Sequence, residues 1–97
     1  MPMRAINQLS GSSAQEAARE AIAANVRVEL ARAKVSGAQM AAQIGLASST
    51  FSRRMAGDVC FGADEIAAIA AVLGVSTDIL LADAVQVIEP VAASAVS

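Results

Sequence analysis

Residues 36–57, SGAQMAAQIGLASSTFSRRMAG, constrain this chain more than any other stretch. Met40, Ala41 and Ile44 recur at helical spacing, and Phe51 and Met55 stand four residues apart, so two short helices each carry one apolar face. The spacing predicts a helix over 37–44 and a second over 48–55, with Gly45 in the turn between them. Glycine takes a positive φ without a Cβ penalty, which lets a helix stop and the chain reverse within a few residues. Ala41, four residues before Gly45, is small enough to let the two helices approach closely. A small residue, a glycine turn and a polar second helix on two apolar anchors make a helix-turn-helix arrangement.

The rest of the chain fits around that unit. A chain of 97 residues is one small domain, able to bury only about 60–65% of its unfolded surface. The apolar fraction of 56% includes 24 alanines, which favour helix and add little core volume. The expected fold class is therefore all-α, with close helix contacts.

Residues 1–12 show no period, carry Pro2 and Gly11, and read as a flexible N-terminal arm. Ser13, with Glu16 three residues on, has the capping-box pattern and starts a helix. That helix runs to about Lys34, with Ala18, Ile22, Val26 and Leu30 facing the core and a break near Asn25 allowed for. Ser36 and Gln39 repeat the box. Residues 58–62 read as a loop in which Phe61 plugs the core and Cys60 is a half-buried small residue, with no His or second Cys to help it hold zinc. Asp64 and Glu65 fall in the first turn of the next helix, as partners of its dipole rather than catalytic acids. Ile66, Ile69, Ala70 and Leu73 form its apolar face, and Gly74 stops it. A last short helix through Leu81 is expected to give Ile79 and Leu80 to the core, so the domain spans residues 13–83. Residues 84–97, with Val85, Val87, Ile88, Pro90 and Val91, favour extended structure and read either as a tail or as a dimerisation segment.

The net charge is only −2, but it is unevenly placed. Residues 27–54 hold Arg27, Arg32, Lys34, Arg53 and Arg54 against Glu29 alone, whereas residues 55–97 hold six acids and no base. Such polarity suits a domain that meets a polyanion on one face, although ordinary solvated charges can cluster the same way. The longest apolar run, residues 66–73, is too short to span a membrane, and no signal-peptide pattern opens the chain. A single cysteine forms no internal disulfide and fits a reducing cytoplasm.

With five helices in this order, residues 26–81 resemble the lambda-repressor-like, Cro-type helix-turn-helix family, also called XRE. Ala41 and Gly45, with Met40, Ile44 and Leu46 around them, carry the resemblance. SSTFSRRMAG, residues 48–57, is similar to the recognition helix and terminal glycine of actinobacterial and phage members. FGADEIAAIAAVLGVSTDIL, residues 61–80, is similar to the family's fourth and fifth helices. The chain departs from the family pattern at three places. Gly37 replaces a usual glutamine, Ala47 stands where a serine often caps the recognition helix, and Arg54 stands at a commonly apolar position.

The resemblance implies a five-helix domain that inserts helix 48–55 into the major groove of double-stranded DNA. It implies base contacts by Ser48, Ser49 and Arg53, and Ser52 shares their outward face. Arginine can bond two acceptors of guanine at once, so Arg53 is expected to discriminate sequence, by roughly 1–3 kcal/mol. Thr50 and Arg54 suit phosphate contacts, as do Ser36 and Gly37 through the backbone N–H groups at a helix start. Arg27, Arg32 and Lys34 are either further phosphate contacts or plain exposed charges.

The implied function is a sequence-specific transcriptional regulator of the bacterial cytoplasm, above all a repressor of the phage-immunity or Cro-like kind. Such domains bind two half-sites about 34–36 Å apart, so the chain is expected to pair as a homodimer through helix 76–81 and residues 84–97, to bind cooperatively, or to bind weakly as a monomer. A protein-interaction module such as an antitoxin is the alternative, favoured by Gly37, Ala47 and the acidic C-terminal half. An enzyme fits poorly: there is no His, Tyr, phosphate loop or cluster of metal ligands, and no cofactor is expected.

Overall fold

The computed structural model describes residues 11–84, whose regular structure is helical throughout. Five helices follow one another: α1 Gly11–Ala33, α2 Gly37–Ile44, α3 Ser48–Met55, α4 Ala63–Leu73 and α5 Thr77–Leu80. The expected arm and tail fall outside these residues, except that Gly11 and Ser12 already belong to α1 and Ala84 packs against the core. Because α1 is under way by Gly11, Ser13 and Glu16 lie within the helix rather than at its start.

α1 runs unbroken past Asn25, and a tertiary bond explains why. The Asn25 side-chain amide donates to the carbonyl oxygens of Leu80 (2.9 Å) and Ala82 (2.7 Å). Those carbonyls close α5, so a weak helix former is kept in α1 because it ties the two ends of the domain together.

Helices α1 to α4 end in the same way. The first residue after each helix, or the second after α3, is left-handed: Lys34 (φ 59°), Gly45 (77°), Gly57 (84°) and Gly74 (71°). In each case the next N–H reaches back to a carbonyl five residues earlier: Val35 to Leu30, Leu46 to Ala41, Asp58 to Arg53 and Val75 to Ala70, at 2.9–3.1 Å. This closure satisfies carbonyls that the helix leaves open. It also turns Val35, Leu46 and Val75 back against the core. Helices this short are linked by such sharp stops into a domain with few loop residues.

The core sits where α1, α2 and α4 converge. Ile22, Val26 and Leu30 of α1, Met40 and Ala41 of α2, Phe51 of α3, and Ile66, Ile69 and Ala70 of α4 are buried together, with Phe61 and Leu80 closing the ends. Phe61 plugs the domain as expected, its ring edge-on to Phe51 with centroids 5.6 Å apart. No polar or charged residue is buried among the described residues.

Two further expectations are corrected. Ile79 is 43% exposed, because α5 is a single turn and turns only Leu80 fully inward. Cys60 is exposed rather than half-buried, since the loop sends its neighbour Phe61 into the core.

Lys34 is the one non-glycine among the four left-handed closures. A left-handed residue with a Cβ costs roughly 1–2 kcal/mol, part of which glycine gives back as unfolded-state entropy. Lys34→Gly should therefore stabilise the domain by about 0.5–1 kcal/mol, a rise of a few degrees in a thermal melt. Gly74→Ala should lower the melting temperature, on backbone grounds alone, because a Cβ there meets nothing within 4 Å.

Candidate nucleic-acid interface

α3 has eight residues, one of them fully buried. Isolated helices under about 12–15 residues are marginal in water, so this one depends on its neighbours. Its start has no side-chain cap, as Ala47 requires. Phe51 anchors it in the core at 1% exposure, and Met55 packs half-buried one turn later. The ring of Phe51 also backs onto α2, since a Cβ on Gly37 would lie 3.6 Å from it.

With Phe51 and Met55 turned inward, Ser48, Ser49, Ser52 and Arg53 are all exposed. They form two i, i+4 rows, Ser48 with Ser52 and Ser49 with Arg53, on the face away from the core. Thr50 lies half-buried at the flank. The structure thus gathers the four residues expected at base edges onto one outward surface.

The expected phosphate contacts divide into two groups. Ser36 sits at the start of α2, where its hydroxyl accepts from the Gln39 N–H (3.0 Å) and its own N–H donates to the Gln39 side chain (2.8 Å). Gly37 follows it, half-buried. Lys34 is exposed, and Arg32 is exposed with Glu29 3.8 Å away. Arg27 and Arg54 instead turn toward the protein. Arg27 donates through Nη1 to the carbonyl oxygen of Met55, the last residue of α3. Arg54 donates through Nε to Glu65 Oε1 at 2.7 Å, and that oxygen also accepts the Gly62 N–H at 2.9 Å.

Glu65 and Asn25, like Arg27 and Arg54, have tertiary roles that residue spacing does not reveal. Glu65 does sit in the first turn of α4, beside Asp64, as a dipole partner. It also bridges α4 to the last turn of α3. The available signal was Arg54 itself, a charge three residues from Phe51 and so off the solvent face.

The hydrogen bond from Arg54 holds the Glu65 carboxyl below its ordinary range; desolvation opposes this, and the Gly62 N–H adds to it. The same bond raises the Arg54 guanidinium. A carboxyl whose folded pKa is depressed stabilises the fold fully above its unfolded pKa, about 4.3 for glutamate. That contribution is lost as pH falls through the depressed value. Thermal melts should therefore decline on acidification below about pH 4.3, the unfolded glutamate value. Glu65→Gln should melt lower than the parent at neutral pH and converge with it in acid, whereas curves that stay parallel would contradict the assignment.

Among the described residues no group of three or more His, Cys, Asp or Glu is placed to hold a metal ion, and no helix is long and apolar enough to cross a membrane. No curated protein and no solved structure gives a significant match to the chain. The BetR domain family matches residues 17–96, which takes in all of α2 to α5 and most of α1. Together with the paired helices α2 and α3, that match makes this chain a member of the BetR domain family, a helix-turn-helix regulatory domain resembling those of DNA-binding transcriptional regulators.

Proposed function

We propose that this protein is a sequence-specific double-stranded DNA-binding transcriptional regulator that represses by inserting α3 into the major groove of an operator. One observation carries the reading: Phe51 fixes α3 to the core while Ser48, Ser49, Ser52 and Arg53 stand together on its exposed face. An α-helix fits the major groove, where each base pair shows its own pattern of donors and acceptors. Arg53 supplies the discriminating fork, and the three serines, short and able to donate or accept, read bases directly or through water. Ser36, Gly37 and Thr50 flank that face and suit phosphates, with Lys34 and Arg32 as outer charges. Acting in the bacterial cytoplasm, in the manner of phage-immunity or Cro-like repressors, it would occupy an operator and exclude polymerase. Ile79, exposed on α5, gives a second copy an apolar contact from which to span two half-sites.

Fluorescence anisotropy on DNA flanking the protein's own gene, across a salt series and beside scrambled DNA, tests the reading. The expected result is sequence-preferring binding that weakens with salt. Arg53→Ala should reduce that preference by about 5- to 150-fold, the equivalent of one bidentate base contact. Equal affinity for scrambled DNA, or no binding, contradicts the proposal and favours a protein-interaction module such as an antitoxin.

A further inference from the structure

Two arginines that bond to the protein, Arg27 and Arg54, define a function for the end of α3. Its N-terminal turn has no side-chain cap, and Phe51 is its one fully buried residue, with Met55 half-buried in the last turn. Its C-terminal turn is gripped from two sides. On one side Arg27 of α1 places a cation on the carbonyl of Met55, where the helix dipole is negative. On the other, Arg54 reaches Glu65, whose Oε1 is held in turn by the first N–H ahead of α4. The Arg54 and Glu65 side chains are only 20% and 16% exposed, so water competes weakly for the pair.

We propose that Arg54, Glu65 and Arg27 are positioning residues that set the angle of α3 against the body of the domain, and that they raise operator affinity without touching DNA. The proposal rests on the operator-binding reading of α3. It assigns Arg54 and Arg27 a role different from the phosphate contact their charge suggests. It also makes Glu65, a negative residue, favourable for binding a polyanion. A through-space electrostatic account gives the opposite sign, because removing an acid near a phosphate backbone should strengthen binding.

The experiment is the salt dependence of operator affinity for Glu65→Gln, Arg54→Met, Arg27→Met and the Arg54→Met/Glu65→Gln double variant, with hydrogen exchange of each free protein. Positioning predicts that Glu65→Gln and Arg54→Met each weaken operator binding by about two- to fivefold, the fold-change equivalent of a partly exposed ion pair. The double variant should be no worse than the poorer single one. The slope of log K against log salt should stay at the parent value, and amides at the C-terminal end of α3 should exchange faster.

A slope reduced by about 0.9 in Arg54→Met or Arg27→Met would make that arginine a phosphate contact and overturn its assignment. Tighter binding by Glu65→Gln, with a steeper slope, would show that Glu65 only masks Arg54. Unchanged affinity and unchanged exchange in Glu65→Gln and Arg54→Met would also overturn the proposal. If Arg54→Met fails to fold, Glu65→Gln, which keeps the side chain's size, decides alone. A parent protein that does not distinguish operator from scrambled DNA overturns the operator reading and the claim on affinity. The exchange data on the free protein would still show separately whether the grip exists.

Discussion

The burial of Phe51 is the contact on which the rest of this structure depends. It is the single fully buried residue of α3, and its ring meets Phe61 edge-on and lies against the start of α2 at Gly37. One side chain therefore joins both helices of the motif to the loop that leads into α4. Truncating a buried phenylalanine typically costs about 3–5 kcal/mol, against a total stability of about 5–15 kcal/mol for a domain. Because Phe51, with Met55 half-buried one turn on, holds the inner face of α3, its outer face is free to carry polar residues, and Ser48, Ser49, Ser52 and Arg53 occupy it.

Alanine sets the second constraint. A core with so many small side chains fills its volume only if helices approach closely, and Ala23, Ala41 and Ala70 are all buried at such approaches. Close approach over short helices needs abrupt reversals, which the repeated left-handed closures at Lys34, Gly45, Gly57 and Gly74 supply. The core itself contains no buried charge among the described residues, so polar ties lie at its rim. Asn25 joins α1 to the end of α5, and Arg54 with Glu65 joins α3 to α4.

Much of this was legible from residue spacing. Gly45 and Gly74 mark their helix ends because left-handed closure favours glycine, and the apolar stripe of α1 at Ile22, Val26 and Leu30 is buried as its period requires. The outward face of α3 follows from the spacing of its anchors, Phe51 and Met55. Less legible were features that depend on two distant segments meeting. Asn25 looks like a weak point until the carbonyls of Leu80 and Ala82 are beside it. Arg54 and Glu65 each have a sufficient local explanation, as a basic residue on a recognition helix and as a dipole partner, and neither explanation points to the other. The exposure of Ile79 and Cys60 is not legible, because burial in a one-turn helix or a short loop is set by the chain's direction there, which periodicity does not encode.

The charges complete the account. A domain with net charge −2 can still approach DNA if its basic residues are confined to one region, and residues 27–54 hold five of the seven. Of those five, Arg27 and Arg54 bond to groups on other helices and Arg32 lies beside Glu29, so Arg53 carries the charge on the outward face of α3 itself. The most direct test of that division is to titrate isotopically labelled protein with duplex DNA from the flank of its own gene and map the amide shifts. The account predicts the largest, sequence-dependent shifts at Ser48, Ser49, Ser52 and Arg53, smaller ones at Ser36 and Gly37, and little change at Ala67 and Val72 on the outer surface of α4. Shifts centred on α4 and α5, or none anywhere, would contradict it.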